Sequence, residues 1–123
     1  MTARKKILLV DDDDAVIEVL HLRLAPHYDV ISTNSPANAF GLARDHRPDL
    51  IVCDIDMPEM DGGDISAALH ADRDLNHIPF LYLTGLASPG DLQAKRQELA
   101  GRAAISKHSK SEELLARIRQ MIG

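Results

Sequence analysis

Ile7-Leu8-Leu9-Val10, four apolar residues without a break, runs directly into Asp11-Asp12-Asp13-Asp14. A run of strand length with no polar member has no side to turn to water. That is the pattern of a parallel strand covered on both faces. Leu50-Ile51-Val52-Cys53 repeats it and again ends on an aspartate, Asp54. Further short runs follow the same spacing: Val30-Ile31, Phe80 to Leu83, and Ala103 to Ile105. The segments between them carry helical periodicity. Val16, Leu20 and Leu24 share one helical face, as do Ala39, Leu42 and Ala43, then Ile65 and Leu69. Leu114, Ile118, Met121 and Ile122 share another. Ser35-Pro36 reads as an N-cap followed by proline at the first helical position, and Glu112-Glu113 place acid at the start of the last helix. Pro26, Pro48, Pro58, Pro79 and Pro89 all fall at joints. The alternation predicts an α/β protein, (βα)₅, with a parallel five-stranded sheet and right-handed crossovers. Its weakest element is the fourth helix, near 91–99, which has little apolar content beyond Leu92, Ala94 and Leu99.

The 123 residues suit a single domain spanning 1–123. With 45% hydrophobic and 27% charged residues, the chain can bury a core of its own. Lys+Arg number 14 against 19 Asp+Glu, a formal charge of -5. An acidic chain without a basic cluster is not expected to bind nucleic acid directly. The one cysteine, Cys53, leaves no internal disulfide and fits a cytoplasmic setting. The apolar run after Arg4-Lys5-Lys6 is too short for a secretory signal, and no run approaches membrane-spanning length.

Open parallel sheets bind ligands beyond the carboxyl ends of their strands. Asp11 and Asp12 stand there after the first strand, Asp54 after the third with Asp56 two residues on, Thr84 after the fourth and Lys107 after the fifth. Carboxylates gathered on one rim repel one another unless a proton or a cation sits among them. An all-oxygen set suits a hard ion, Mg²⁺ before zinc, with Mn²⁺ as a second choice. Mg²⁺ in such a site ordinarily accompanies phosphoryl chemistry. An aspartate can be the nucleophile, and Lys107 and Thr84 can steady the oxygens of the transferred group. Each residue alone has a plainer reading. An acid after a strand is more often a helix cap, and Asp13 and Asp14 read that way. Thr84 alone would be an ordinary strand end and Lys107 a solvated lysine. The joint placement at four strand ends favours chemistry. The six histidines are scattered without metal-ligand spacing, Cys53 reads as a core thiol, and Gly62-Gly63 as a turn.

The first motif, 7–13, and the stretch Pro48-Asp49-Leu50-Ile51-Val52-Cys53-Asp54-Ile55-Asp56-Met57-Pro58-Glu59-Met60-Asp61-Gly62 together strongly resemble the receiver domain of two-component response regulators. The resemblance covers essentially the whole chain. It implies a flavodoxin-like three-layer sandwich with strand order 2-1-3-4-5. It implies Asp54 as phosphoacceptor and a histidine kinase or phosphotransfer domain as donor. Asp12 and Asp54 would be direct Mg²⁺ ligands, Asp11 would act through water, and the backbone carbonyl of Asp56 would complete the set. Thr84 resembles the switch hydroxyl of the family and Lys107 its lysine. The family usually has proline after that lysine, where this chain has His108, and an aromatic three residues before it, where this chain has Ala104. A non-proline residue at 108 predicts a trans bond there. The methyl group at 104 predicts that a phosphorylation response concentrates in 85–91 and the fourth helix. The fifth strand would be nearly silent within the output face that the family builds from the fourth helix, fifth strand and fifth helix.

Two other classes compete with a switch. Asp54-Ile55-Asp56 also resembles the nucleophile and acid of haloacid-dehalogenase-type phosphatases. In those enzymes the nucleophile comes first and the acidic pair last, whereas here Asp11-Asp12 precede Asp54. A degenerate receiver serving only as an interaction module would not need the full set Asp11, Asp12, Asp54, Thr84 and Lys107. The expectation is therefore a non-enzymatic phosphoacceptor, either free-standing or the N-terminal piece of a larger protein.

Overall fold

A computed structural model describes residues 4–54, 62–84, 98–99, 102–107 and 109–123. The first strand, β1 (Lys6–Val10), is followed by α1 (Asp14–Leu24), β2 (Asp29–Thr33), a 3₁₀ turn (Pro36–Asn38) and α2 (Ala39–His46). Then come β3 (Leu50–Asp54), α3 (Gly62–His70), β4 (Phe80–Thr84), β5 (Glu98–Leu99), β6 (Arg102–Ser106) and α4 (Ser111–Ile122). The sheet order is β2-β1-β3-β4-β6-β5. Its first five members pair in parallel, so without the two-residue β5 the order is the 2-1-3-4-5 of flavodoxin-like proteins.

The continuous apolar runs lie where two-sided burial requires. Every residue of β3 and β4 is buried, as are Ile7 to Val10. β2 stands at the edge and is only half-buried, which is why its apolar run is just two residues long. Side chains alternate between two cores. Ile7, Leu9, Val52 and Leu83 pack with Leu20 and Leu24 of α1 and Leu114 and Ile118 of α4. Leu8, Val10, Ile51 and Cys53 pack with Ala39 and Ala43 of α2 and Ile65 and Leu69 of α3. This gives the three layers.

Three local readings need adjustment. Gly62-Gly63, expected as a turn, instead opens α3, where the first helical turn tolerates residues of low propensity because tertiary packing holds the helix. Ser35 does precede the turn begun by Pro36, but its side chain makes no capping bond, and the α-helix proper begins at Ala39. The helix expected over 91–99 is corrected at its end. Glu98–Leu99 is a strand, antiparallel to β6. A sheet edge leaves backbone donors and acceptors open, and two paired residues close part of it. An isolated Leu99 gives a helix too little apolar face to compete. Residues 91–97 of that expected helix lie outside the described residues.

Candidate functional site

β1, β3, β4 and β6 run in parallel, so their carboxyl ends share one rim. The residues following or ending these strands therefore converge without any help from the helices. Asp11 is buried; its amide donates to the Thr33 carbonyl (3.3 Å), and its Oδ1 accepts from the Asp13 amide at 2.9 Å. Asp13 Oδ1 in turn accepts from the Ala15 amide at 2.9 Å, capping α1 as expected. Asp14 is in the first helical turn and accepts from Asn34 Nδ2 at 2.9 Å. Asp12, between these two anchored aspartates, is exposed. Asp54 ends β3, buried, and Thr84 ends β4, also buried.

Lys107 follows β6. Its amide donates to the Thr84 carbonyl at 2.8 Å, extending the ladder by one bond and fixing where the side chain starts. Its Nζ lies 3.0 Å from Asp11 Oδ2 and 3.3 Å from Asp54 Oδ2. The carboxylate oxygens of Asp11, Asp12 and Asp54 lie within 4.8 Å of one another. Three negative charges thus face one ammonium. Asp11 Oδ2, although close to that ammonium, is buried with no hydrogen bond of good geometry.

The electrostatics follow. Burial pushes the Asp11 carboxyl above the usual carboxylate range, and the Asp13 amide and Lys107 only partly offset this. Burial also works against a charged Lys107, yet contact with Asp11 and Asp54 holds its ammonium above the ordinary lysine value. A carboxyl with a raised folded pKa costs stability as pH rises through that value. Asn resembles the neutral acid, so Asp11→Asn should melt at a higher temperature than the parent at pH 7 without divalent ions. The advantage should shrink towards pH 4, where the unfolded chain also begins to bind a proton at Asp11. Thermal melts at the two pH values check this; a lower melting point for the variant at pH 7 would contradict it.

A cation suits this trio: the oxygens are hard, the charges uncompensated, and one buried oxygen is poorly partnered. Asp11, Asp12, Asp54, Thr84 and Lys107 all lie at the rim the sequence assigned them. Asp56, His108 and the stretch 85–91 fall outside the described residues. Ala104 is fully buried beside Tyr82, its register partner on β4. Sequence reading passed over Ser106, a buried hydroxyl that pairs in register with Thr84 at the same rim; its place as the last residue of a strand was the available signal. His21, His27, His46, His70 and His77 are exposed. Cys53 is buried in the core. Among the described residues no helix is long and apolar enough to cross a membrane.

Comparison with known proteins adds to the geometry. The family model of the response regulator receiver domain matches residues 7–119. The polar-differentiation response regulator DivK of Brucella ovis is 37% identical over 94 residues, 76% of each chain. The chemotaxis protein CheY4 of Vibrio cholerae superposes with a TM-score of 0.82 at 26% identity, covering 97% of this chain and 99% of that one. The receiver domain of a signal transduction histidine kinase from Syntrophus aciditrophicus gives 0.79 at 30% identity, covering 96% and 89%.

Proposed function

Since the chain belongs to the response regulator receiver domain family, we propose that it is a phosphoacceptor switch in a two-component phosphorelay, with Asp54 taking the phosphoryl group. The observation that carries this reading is the Lys107 ammonium set between Asp11 and Asp54, with Asp12 completing the carboxylate trio. A carboxylate oxygen of Asp54 forms the new O–P bond as the P–N bond of a partner's phosphohistidine breaks. The electron pair of the broken bond stays on the imidazole nitrogen, and a proton carried on the other ring nitrogen leaves the partner's histidine neutral. Lys107 Nζ, already at Asp54, then meets an oxygen of the transferred group, and the Thr84 hydroxyl stands on the same rim to donate to another. Asp12 and Asp54 would hold Mg²⁺ or Mn²⁺ directly and Asp11 through water. When bound, the ion supplies positive charge beside the phosphoryl oxygens. The donor is a histidine kinase or phosphotransfer domain, and the added charge biases a surface that an output partner reads.

Intact mass after incubation with acetyl phosphate tests the reading. A single adduct that forms with Mg²⁺, fails with a chelator and decays on standing supports a switch. Continuous turnover of many phosphate esters would instead favour the phosphatase, and no adduct at all the interaction module. Asp12→Ala should lose most of the rise in melting temperature that Mg²⁺ gives the parent, because one of three carboxylates is gone. An equal rise in both would remove Asp12 from the ligand set.

The buried methyl of Ala104 bears on the output. A ligand shifts a two-state equilibrium only through a free-energy difference between the states, and a methyl group beside Tyr82 neither fills nor vacates a large pocket. Amide spectra with and without a beryllofluoride mimic should therefore change little across 102–106. Large changes there, with 85–91 silent, would reverse the route.

A further inference from the structure

Below the rim, between α1 and α4, lies an open-mouthed cavity of about 260 Å³. Val16, Val19 and Leu20 of α1, Leu83 of β4 and Leu114 of α4 form its apolar wall. Its two ends differ. At the upper end stand Ser106, Lys107 and Ser109. The lower end carries Arg23, about 12 Å along α1 from Ala15 at the top, by the rise of an α-helix. Arg23 is exposed and makes no ion pair with a described residue. The rim end holds Asp11, Asp12 and Asp54 against one lysine, so it repels anions; Arg23 attracts them.

We propose that this cavity is a binding site for a small amphipathic monocarboxylate, its apolar body against α1 and α4 and its carboxylate on the Arg23 guanidinium. Arg23 sets the orientation, because Lys107, the cation at the upper end, is already held by Asp11 and Asp54. The volume fixes the size. It exceeds the roughly 150 Å³ that encloses a benzene and falls just short of the ~300 Å³ where drug-sized sites begin. One ring with a short chain, or an alkyl chain of similar bulk, fills it. Ser109 stands at the far end, where a ring substituent would lie. This site is separate from the phosphoacceptor chemistry, but Lys107, whose Nζ bridges Asp11 and Asp54, is one of its lining residues.

The test uses 3-phenylpropanoate and methyl-resolved NMR of the intact chain, without divalent ion or phosphodonor, so that it is independent of phosphorylation. Saturable shifts at the Val16, Val19, Leu20, Leu83 and Leu114 methyls are expected. Arg23→Gln, at an exposed position, should weaken binding about fivefold, the size of an exposed charge pair. Val19→Asp, at a half-exposed position, should abolish it by placing a like charge in the wall. The alcohol 3-phenylpropanol should bind more weakly than the acid. No saturable shift with the acid, or equal binding of acid and alcohol, would overturn the proposal. So would shifts confined to other regions or an affinity unchanged in Arg23→Gln; the groove would then be left to a macromolecular partner.

Discussion

Asp54→Asn is expected to take up no phosphoryl group from acetyl phosphate under conditions that modify the parent chain, read by intact mass. Asp54 is the buried carboxylate at the end of β3, with Lys107 Nζ 3.3 Å from its Oδ2. An amide of the same shape keeps the packing but presents no nucleophilic oxygen. Asp11 is an unsuitable substitute, since one oxygen is held by the Asp13 amide and the other faces Lys107. Asp12 is exposed and lacks an ammonium beside it among the described contacts. An undiminished adduct in the variant, mapped to either residue by peptide analysis, would displace Asp54 as the acceptor.

Lys107→Met should produce the next largest effect, and in two measurements. Its side chain is only 21% exposed and contacts two buried carboxylates at once. Leaving them facing each other should cost about 2 kcal/mol of stability without divalent ions. Mg²⁺ should recover part of that loss. Phosphoryl uptake should fall about a hundredfold, the typical consequence of removing one preorganised charge from a transferring group. The pH dependence gives an internal check. The raised Lys107 pKa contributes stability that is complete below the ordinary lysine value and disappears as pH climbs through the folded one. The variant should therefore lose this alkaline limb of the stability profile. A parent and variant that melt together at pH 7 would mean that the Lys107 contacts contribute nothing to the fold.

Much of the architecture was legible because burial on two faces leaves an unmistakable mark on composition. Ile7 to Val10 and Leu50 to Cys53 cannot be half-exposed strands, and each ends at an aspartate that the parallel sheet carries to one rim. Asp13 was readable as a cap because its position before a helical repeat leaves little else for it to do. Other features depend on contacts with no local pattern. Leu75 and Ile78 belong to the core, yet they lie in turns after α3, where Leu75 donates to Asp72 and Ile78 to Leu75. Neither period 2 nor period 3.6 marks them. Asp49 accepts from the Lys6 amide at 2.7 Å and donates its own amide to the Lys6 carbonyl at 2.8 Å, joining residues 43 apart. The antiparallel Glu98–Leu99 pair is too short for any alternation to show. The cavity beside α1 exists only once two helices are docked on one face.

Because the rim is assembled from strand termini, none of Asp11, Asp12, Asp54, Thr84, Ser106 and Lys107 lies within a helix. The outward faces of α2 and α3 are therefore free to drift. A gene copy could acquire a different set of recognition side chains, one substitution at a time, and pass through no stage in which its chemistry was impaired. Such a scaffold suits duplication and divergence: many lineages of the same reactive centre, each insulated from the others by nothing more than its coat.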